Sequence, residues 1–204
     1  MVGVVINPES VANPFGSNLL GDVYGRSGEQ IVTEYHGKYY PSAYAGNTFS
    51  FSVNATTLPV NAATLASKFA VVNPVGSGKN LELIRLDWAY AVATTVVNGI
   101  GVYSSPTGAA TLTTPGTAVA LNFSAPTGAV AVPYSAITAV GTPTQVALVG
   151  YTGAITSTAA DVNTYNFDGA IIVPPGYTVH IATTVAATTA SGFSGTLTWA
   201  EHLI

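Results

Sequence analysis

The sequence contains no cysteine among its 204 residues. Disulfide bonds and metal sites with thiolate ligands are therefore excluded. Secretion signals are also missing, because Met1–Ile6 lacks a basic start and Asn7-Pro8 ends its apolar run. No apolar stretch approaches the roughly 20 residues that a membrane-spanning helix needs. We therefore expect neither a disulfide-rich secreted scaffold nor a protein that binds a membrane.

Charge is almost as scarce. Only 7% of the residues are Asp, Glu, Lys or Arg, against roughly 25% in ordinary soluble domains. No charged residue and no histidine occurs between Trp88 and Ala160. The net charge of −4 provides no basic surface for nucleic acid, so we expect no direct nucleic-acid ligand. Since free monomers usually rely on mixed surface charge, this chain must either keep its surface solvated through Thr, Ser, Asn and backbone groups or bury much of it against partners.

Recognisable catalytic and metal-binding motifs are absent as well. His36, His180 and His202 have no second ligand at the spacing of a zinc site, so we interpret His180 as an outward-facing strand residue and His202 as a surface residue. The segment Asn73–Asn80 resembles a phosphate-binding loop, but asparagine replaces both its first glycine and its closing serine or threonine. We interpret it as a tight loop between strands. We expect no enzyme, no metal and no cofactor.

What the sequence does contain is a period of two from residue 46 onward. Phe49 and Phe51 alternate with serines, which is typical of a half-buried strand. The segment Phe193–Trp199 repeats this alternation near the C terminus. Roughly eight to ten short strands separated by turn residues predict an all-β, antiparallel β-sandwich or barrel. The long connection over 104–143 favours a jelly roll.

Several local features are predicted within this domain. Leu81 and Leu83 have the opposite parity to Leu86 and Trp88, so a β-bulge should separate them, with a helix as the alternative. Trp88 and Trp199 share the parity of apolar neighbours, which favours the core over a sugar-binding platform. A short helical turn is predicted at Asn61–Ala66, a hairpin turn at Asn98-Gly99, and a turn at Asn166–Gly169 before the next strand.

Residues 1–45 differ from the domain over 46–204 and are interpreted as an extended N-terminal arm. Asn-Pro pairs and glycines interrupt any regular period, apart from a short strand predicted at Gln30–Tyr35. A solvated tail rarely contains so many aromatic side chains, so docking on a neighbouring subunit is favoured over a disordered terminus. The candidate contact residues are Tyr35, Tyr39, Tyr40 and Tyr44 in the arm, and Glu82, Arg85 and Asp87 on one strand.

Two segments resemble small structural proteins of tailed bacteriophages. They are Phe69–Leu83, with the sequence FAVVNPVGSGKNLEL, and Val173–Val179, with the sequence VPPGYTV, followed by a last strand that ends in Trp199-Ala200-Glu201. The strand Phe193–Leu197 is also similar to the final strand of trimeric jelly-roll domains of the tumour-necrosis-factor and C1q type. The resemblance implies a trimeric jelly roll on a virion, without catalytic residues.

These observations predict a virion structural protein, assembled in the host cytoplasm. It would be a capsid decoration (cement) subunit that stabilises the phage head by bridging shell subunits. The expected partners are itself, in a homotrimer, and the major capsid protein or other virion subunits, because a trimer multiplies weak contacts. The alternatives are a tail, baseplate or head-fibre component and a β-sandwich module that binds host glycans. A hydrolase is disfavoured, since a fold alone implies no activity.

Overall fold

The computed structural model describes residues 23–24, 30–31, 38–62, 64–90, 98–123, 128–152, 162–185 and 192–204. These residues form strands almost throughout, with one short helix and one 3-10 turn at Thr107–Ala109. In chain order the elements are β1 (Val23–Tyr24), β2 (Gln30–Ile31), α1 (Tyr40–Tyr44), β3 (Thr48–Thr56), β4 (Thr64–Ser67), β5 (Ala70–Asn73), β6 (Lys79–Tyr90), β7 (Asn98–Pro106), β8 (Ala110–Pro115), β9 (Val119–Ala120), β10 (Val132–Val140), β11 (Thr144–Thr152), β12 (Asn163–Val173), β13 (Tyr177–Thr183) and β14 (Phe193–Leu203).

Two packed sheets form the body of the molecule. Sheet one has the strand order β12-β6-β14-β3-β9, and sheet two has the order β11-β7-β13-β5-β10-β4, with β8 also paired to β10. Neighbouring strands in both sheets run antiparallel. From β5 to β7, and again from β11 to β14, successive strands alternate between the sheets. This alternation is that of a jelly roll, so the predicted fold class is confirmed.

A β-bulge in β6 directs its large apolar residues, apart from Ile84, into one core. The pairing of β6 with β14 passes from Arg85 directly to Leu83 and leaves Ile84 outside the register. Leu83 and Leu86, which lie on either side of the bulge, are both fully buried. The change of parity in the sequence therefore corresponds to the predicted bulge, and the alternative of a helix is wrong.

The main core lies between the two sheets and is rich in aromatic rings. Phe193 stacks on Trp88 with the ring centroids 6.5 Å apart, and it meets Tyr90 edge-on at 5.8 Å. Phe69, which lies between β4 and β5, approaches the Phe193 ring at 6.2 Å. Trp199 is 0% exposed, so the prediction that both tryptophans belong to the core is confirmed. Aromatic burial of this kind contributes most of the hydrophobic stabilisation in a core.

A smaller second core lies on the other face of sheet two, because that sheet curls over itself. Leu65 of β4 and Ala139 of β10 cluster with Tyr103 of β7 and Ala182 of β13. Ala70 and Val72 of β5 cluster with Ile137 of β10 beside these residues, and we count this small cluster with the second core. The four residues of β5 are consequently all buried, although successive side chains point to opposite faces. Strands β5 and β13 thus separate the two cores.

Two local predictions are wrong because distant pairing outweighs local preference. The C-terminal half of the helical turn predicted at Asn61–Ala66 belongs to β4, which pairs with β10. Asn98 and Gly99 lie inside β7, opposite β11, and Gly99 does not have the positive φ of a hairpin turn. The strand predicted before that turn, at Val96-Val97, lies outside the described residues.

Of two turns predicted next to sheet one, one is a loop as expected and the other is not. The segment Asn73–Asn80 forms the predicted tight loop between β5 and β6, with Gly76 and Gly78 at φ of 76° and 68°. The predicted turn at Asn166–Gly169 is instead a bulge within β12, where the register with β6 shifts. Asp168 has a φ of 50° there, a conformation that aspartate tolerates better than most residues.

The predicted N-terminal arm is described only in part. Strands β1 and β2 pair with each other, and β2 is the described part of the strand predicted at Gln30–Tyr35. Tyr40–Tyr44 form a helical turn and not an extended chain, since Pro41 occupies the first turn and Gly46 follows with a φ of 75°. The boundary between arm and domain stays a prediction.

Candidate functional site

Ionisable side chains in the described part of the chain do not gather into a metal-binding cluster. No group of three or more His, Asp or Glu side chains that could hold a metal ion occurs among the described residues. Charged groups instead form pairs, which are Glu82 with His202, Arg85 with Asp87, and Lys79 with Glu201. The pairs lie in three different environments, namely an open cleft, an outer sheet face and a buried position.

The open cleft, of about 340 Å³, lies between α1 and sheet one. Glu82 of β6 and His202 of β14 meet there, with Oε2 and Nε2 2.9 Å apart. The bulge in β12 makes room for Glu82, because a Cβ at Gly169 would collide with its carboxylate. The side chain of His202 is 47% exposed, as predicted for a surface residue. The other lining residues are Lys38, Tyr39, Pro41, Ser42, Ala45 and Asn47.

The cleft offers both hydrogen-bond donors and acceptors. Lys38 donates from Nζ to the carbonyl oxygen of Asp168, and this Nζ lies 5.1 Å from the centre of the Tyr39 ring. The Tyr39 side chain is the main cause that raises the pKa of Lys38 above its ordinary value. Glu82 is the one carboxylate among the described residues that line the cleft, whereas glycoside hydrolysis uses two facing carboxylates. The arrangement can bind small polar groups.

The three charged residues predicted to form one cluster on β6 are separated by the bulge. Arg85 Nε lies 2.9 Å from Asp87 Oδ2, and Thr164 donates to Asp87 Oδ1 at 2.7 Å. Glu82 contacts His202 instead. The side chain of Arg85 is half exposed, so the Arg85–Asp87 pair is a partly solvated feature of the outer face of sheet one.

The predicted tyrosine contacts lie on and beside α1. Tyr40 and Tyr44 stack with their ring centroids 5.7 Å apart, and they are 37% and 48% exposed. Tyr39 is half-buried and faces the cleft. Tyr35 lies outside the described residues, as does His36. The structure thus places three of the four tyrosines on or next to α1, and only Tyr39 among them lines the cleft that holds Glu82.

Glu201 is a buried carboxylate that sequence reasoning misses. It is 1% exposed, and it accepts hydrogen bonds from the backbone N–H groups of Val130 and Ala131 at 3.0 to 3.1 Å. Lys79 Nζ lies 3.3 Å from Oε2, and Trp199 Nε1 donates at 3.4 Å. The side chain thereby joins β14 to β6 and to the segment before β10. The alternation that places Trp199 inside also places Glu201 inside, and this parity could have identified it.

His180 is buried, so its prediction as an outward-facing residue is wrong. It is 0% exposed, and Nε2 lies 2.9 Å from the Ser105 hydroxyl in the second core. Burial lowers the pKa of His180 from 6.5 to about 4, which keeps the imidazole neutral at neutral pH. The curl of sheet two buries a face that would otherwise be exposed to solvent. A period of two in the sequence does not show whether distant strands bury the second face of a sheet.

Exposed apolar residues line one edge of each sheet. Residues 117–123 alternate without interruption between exposed and half-buried, with Val119, Leu121 and Phe123 on the exposed side. Asn122 Nδ2 donates to the carbonyl oxygen of Tyr44 at 2.7 Å, which joins α1 to this edge. We call Val119, Leu121, Phe123, Tyr40 and Tyr44 the β9 surface.

The edge strand of sheet two carries a second apolar surface. Val146 and Leu148 are 47% and 40% exposed and Tyr151 is 63% exposed, while Ala147 and Val149 pack against the main core. We call Val146, Leu148 and Tyr151 the β11 surface. Composition indicates that this segment is uncharged, but which strands form the sheet edges depends on long-range pairing and is not visible in the sequence.

No helix in the described part of the chain is long and apolar enough to cross a membrane. Comparison with known proteins finds no family whose model matches the chain, no similar curated protein and no similar solved structure.

Proposed function

We propose that the chain is a structural subunit of a virus particle, specifically a capsid decoration protein that stabilises a phage head by bridging shell subunits. The observation that supports this proposal is the presence of apolar, uncharged surfaces on the edges of both sheets. Phe123 is 82% exposed and Tyr151 is 63% exposed. Exposed apolar sheet edges are an aggregation hazard in a free monomer, whereas in an assembled particle neighbours cover them.

The mechanism is mechanical and not catalytic. A jelly roll held together by an aromatic core is a rigid body, and its edges can contact copies of itself while its ends contact the shell. Each contact is weak, but an oligomer engages several shell subunits at once, so the contacts multiply. The shell then resists expansion because any opening of its lattice must break these contacts together.

The same surfaces would also suit a tail, baseplate or head-fibre component. A glycan-binding module is less favoured, because Trp88 and Trp199 are 4% and 0% exposed and offer no ring face to a sugar. Among the exposed tyrosines, Tyr40 and Tyr44 stack on each other.

Two measurements test the proposal. Light scattering after gel filtration should give a stable oligomer of the 20.7 kDa chain, with a trimer expected. Electron microscopy of virus particles from the source organism, labelled with an antibody against the purified chain, should place the label on heads. Label confined to tails would favour the tail alternative. Particles that carry no label at all would overturn the proposal.

A further inference from the structure

The β9 surface and the β11 surface lie on opposite flanks of the sandwich. Phe69, the residue directly before β5, meets Phe51 of β3 with ring centroids 5.7 Å apart, so the start of β5 lies over β3. Strand β11 lies over β6, since a Cβ at Gly150 would come within 3.1 Å of the Trp88 ring. In sheet one, β3 separates β9 from β14 and β6. The edge formed by β9 and the edge formed by β11 therefore face away from each other.

Both surfaces are neutral. Every residue of the β11 surface, and Val119, Leu121 and Phe123 of the β9 surface, fall within the stretch Trp88–Ala160 that has no charged side chain and no histidine. Helix α1, which contributes Tyr40 and Tyr44, also contains no charged residue. A charged partner would have to desolvate its ionised groups against either surface without compensation. A partner that is itself neutral and apolar meets no such penalty.

The chain itself supplies a partner of this kind. We infer that the β9 surface of one copy packs against the β11 surface of the next copy, head to tail. This inference rests on the self-association in the proposed function and names the surfaces that carry it. A head-to-tail contact joins two different patches, and it closes into a ring when the rotation between copies allows. Phe123, Tyr151 and Tyr44 are the aromatic anchors at its centre, the residue type that dominates interface energetics.

Cross-linking tests the pairing of the two surfaces directly, because the natural chain has no cysteine. Phe123→Cys and Tyr151→Cys are placed on separate chains, mixed, and treated with a short bismaleimide. The mixture should give a covalent dimer on a denaturing gel, while each variant alone should remain uncross-linked. Val75→Cys, which is 81% exposed in the loop between β5 and β6, is the matched control and should not cross-link with either.

A Phe123→Cys/Tyr151→Cys double variant should give a ladder that stops at the size of the ring. Cross-linking of Phe123→Cys with itself, and not with Tyr151→Cys, would show a symmetric contact and overturn the inference. The inference would also be overturned if the two mixed variants failed to cross-link although the wild-type chain is oligomeric.

Light scattering separates this inference from the proposed function. Phe123→Ser together with Leu121→Ser should lower the mass to that of the monomer, while Val75→Ser should leave it unchanged. The native strand signal in circular dichroism should be retained, because both replaced side chains are exposed. An oligomer unaffected by the double substitution would refute these surfaces but leave self-association intact. A wild-type chain that is monomeric at every concentration would refute both proposals.

Discussion

The two cores of this molecule are built from different kinds of side chain. The main core, between the sheets, contains Phe69, Trp88, Phe193 and other rings that contact one another at centroid distances of about 6 Å. The second core, under the curl of sheet two, combines Leu65 and small alanines with the polar pair formed by Ser105 and His180. Both are almost completely closed to solvent.

This difference determines how each core responds to change. Apolar burial is insensitive to pH, so the main core should respond mainly to lost volume. A buried imidazole is stable only while it remains neutral, so the second core should also respond to proton concentration. The two cores can therefore be distinguished by experiment. Variants that remove volume test the main core, and variants that remove a proton-binding group test the second core.

The largest effect is expected in the main core. Leu197→Ala on β14 removes a fully buried side chain and should lower the free energy of unfolding by about 4 kcal/mol, through lost transfer energy and the remaining cavity. Leu203→Ala, on the same strand but 83% exposed, is the matched control and should change it by less than about 0.5 kcal/mol. Urea unfolding followed by tryptophan fluorescence at fixed protein concentration measures both. Equal effects at the two leucines would contradict the assigned core.

Removal of the buried carboxylate is expected to have the next largest effect. Glu201→Ala leaves the N–H groups of Val130 and Ala131 and the ammonium of Lys79 without their acceptor. A loss of about 3 kcal/mol in unfolding free energy is expected, since such changes leave buried polar groups without hydrogen-bond partners.

Two further variants calibrate this result. Glu201→Gln keeps one acceptor oxygen, so it should lower the free energy of unfolding by less than Glu201→Ala does. Glu82→Ala removes a partly exposed partner of His202 and should lose less than about 1 kcal/mol. If Glu82→Ala destabilised the protein as much as Glu201→Ala, burial would not be the cause of the difference.

Much of the main core could be predicted from the sequence because it depends on local alternation. Phe49 and Phe51, and the run Phe193–Trp199, follow a period of two, and the bulge in β6 appears as a change of parity at Ile84. The same rule fails for His180, whose face is covered by strands far away in the chain. It fails also at Asn98-Gly99, where pairing with β11 outweighs a local turn preference.

The candidate surfaces were only partly predictable for the same reason. The number of tyrosines near residue 40 singles them out in the sequence, although the helical turn that holds Tyr40 and Tyr44 was not predicted. Arg85 and Asp87 pair as neighbours on one strand. Glu82 joins His202, which is distant in sequence, because β6 and β14 are adjacent in sheet one. Phe123 and Tyr151 lie at opposite edges because of the strand order. Alternation along a single segment does not encode that order.

The second core should be sensitive to acid. The pKa of His180 is about 4 in the folded protein and 6.5 when unperturbed, so the unfolded chain binds the proton more tightly. The contribution of the neutral imidazole to the free energy of unfolding is therefore fully present above pH 6.5. It is lost progressively as the pH falls towards 4. The full loss is about 3 kcal/mol. Urea unfolding at a series of pH values should show this slope.

His180→Gln tests the origin of the slope. The variant keeps a hydrogen-bonding group near Ser105 but cannot titrate, so its unfolding free energy should fall less between pH 6.5 and pH 4. His202→Gln, which changes a partly exposed histidine, should retain most of the wild-type slope. If His180→Gln and the wild type lost stability in parallel, the acid sensitivity would arise elsewhere.

The smallest effect is expected on the outer face of sheet one, which belongs to neither core. Arg85→Ala removes the partner of Asp87, but Arg85 is half exposed, so unfolding free energy should fall by less than about 1 kcal/mol, and by less still in high salt. Asp87 keeps its hydrogen bond from Thr164, which limits the loss further. A drop in oligomer mass without a change in stability would assign Arg85 to a subunit contact. A stability loss as large as that of Leu197→Ala would instead show that this surface pair supports the main core.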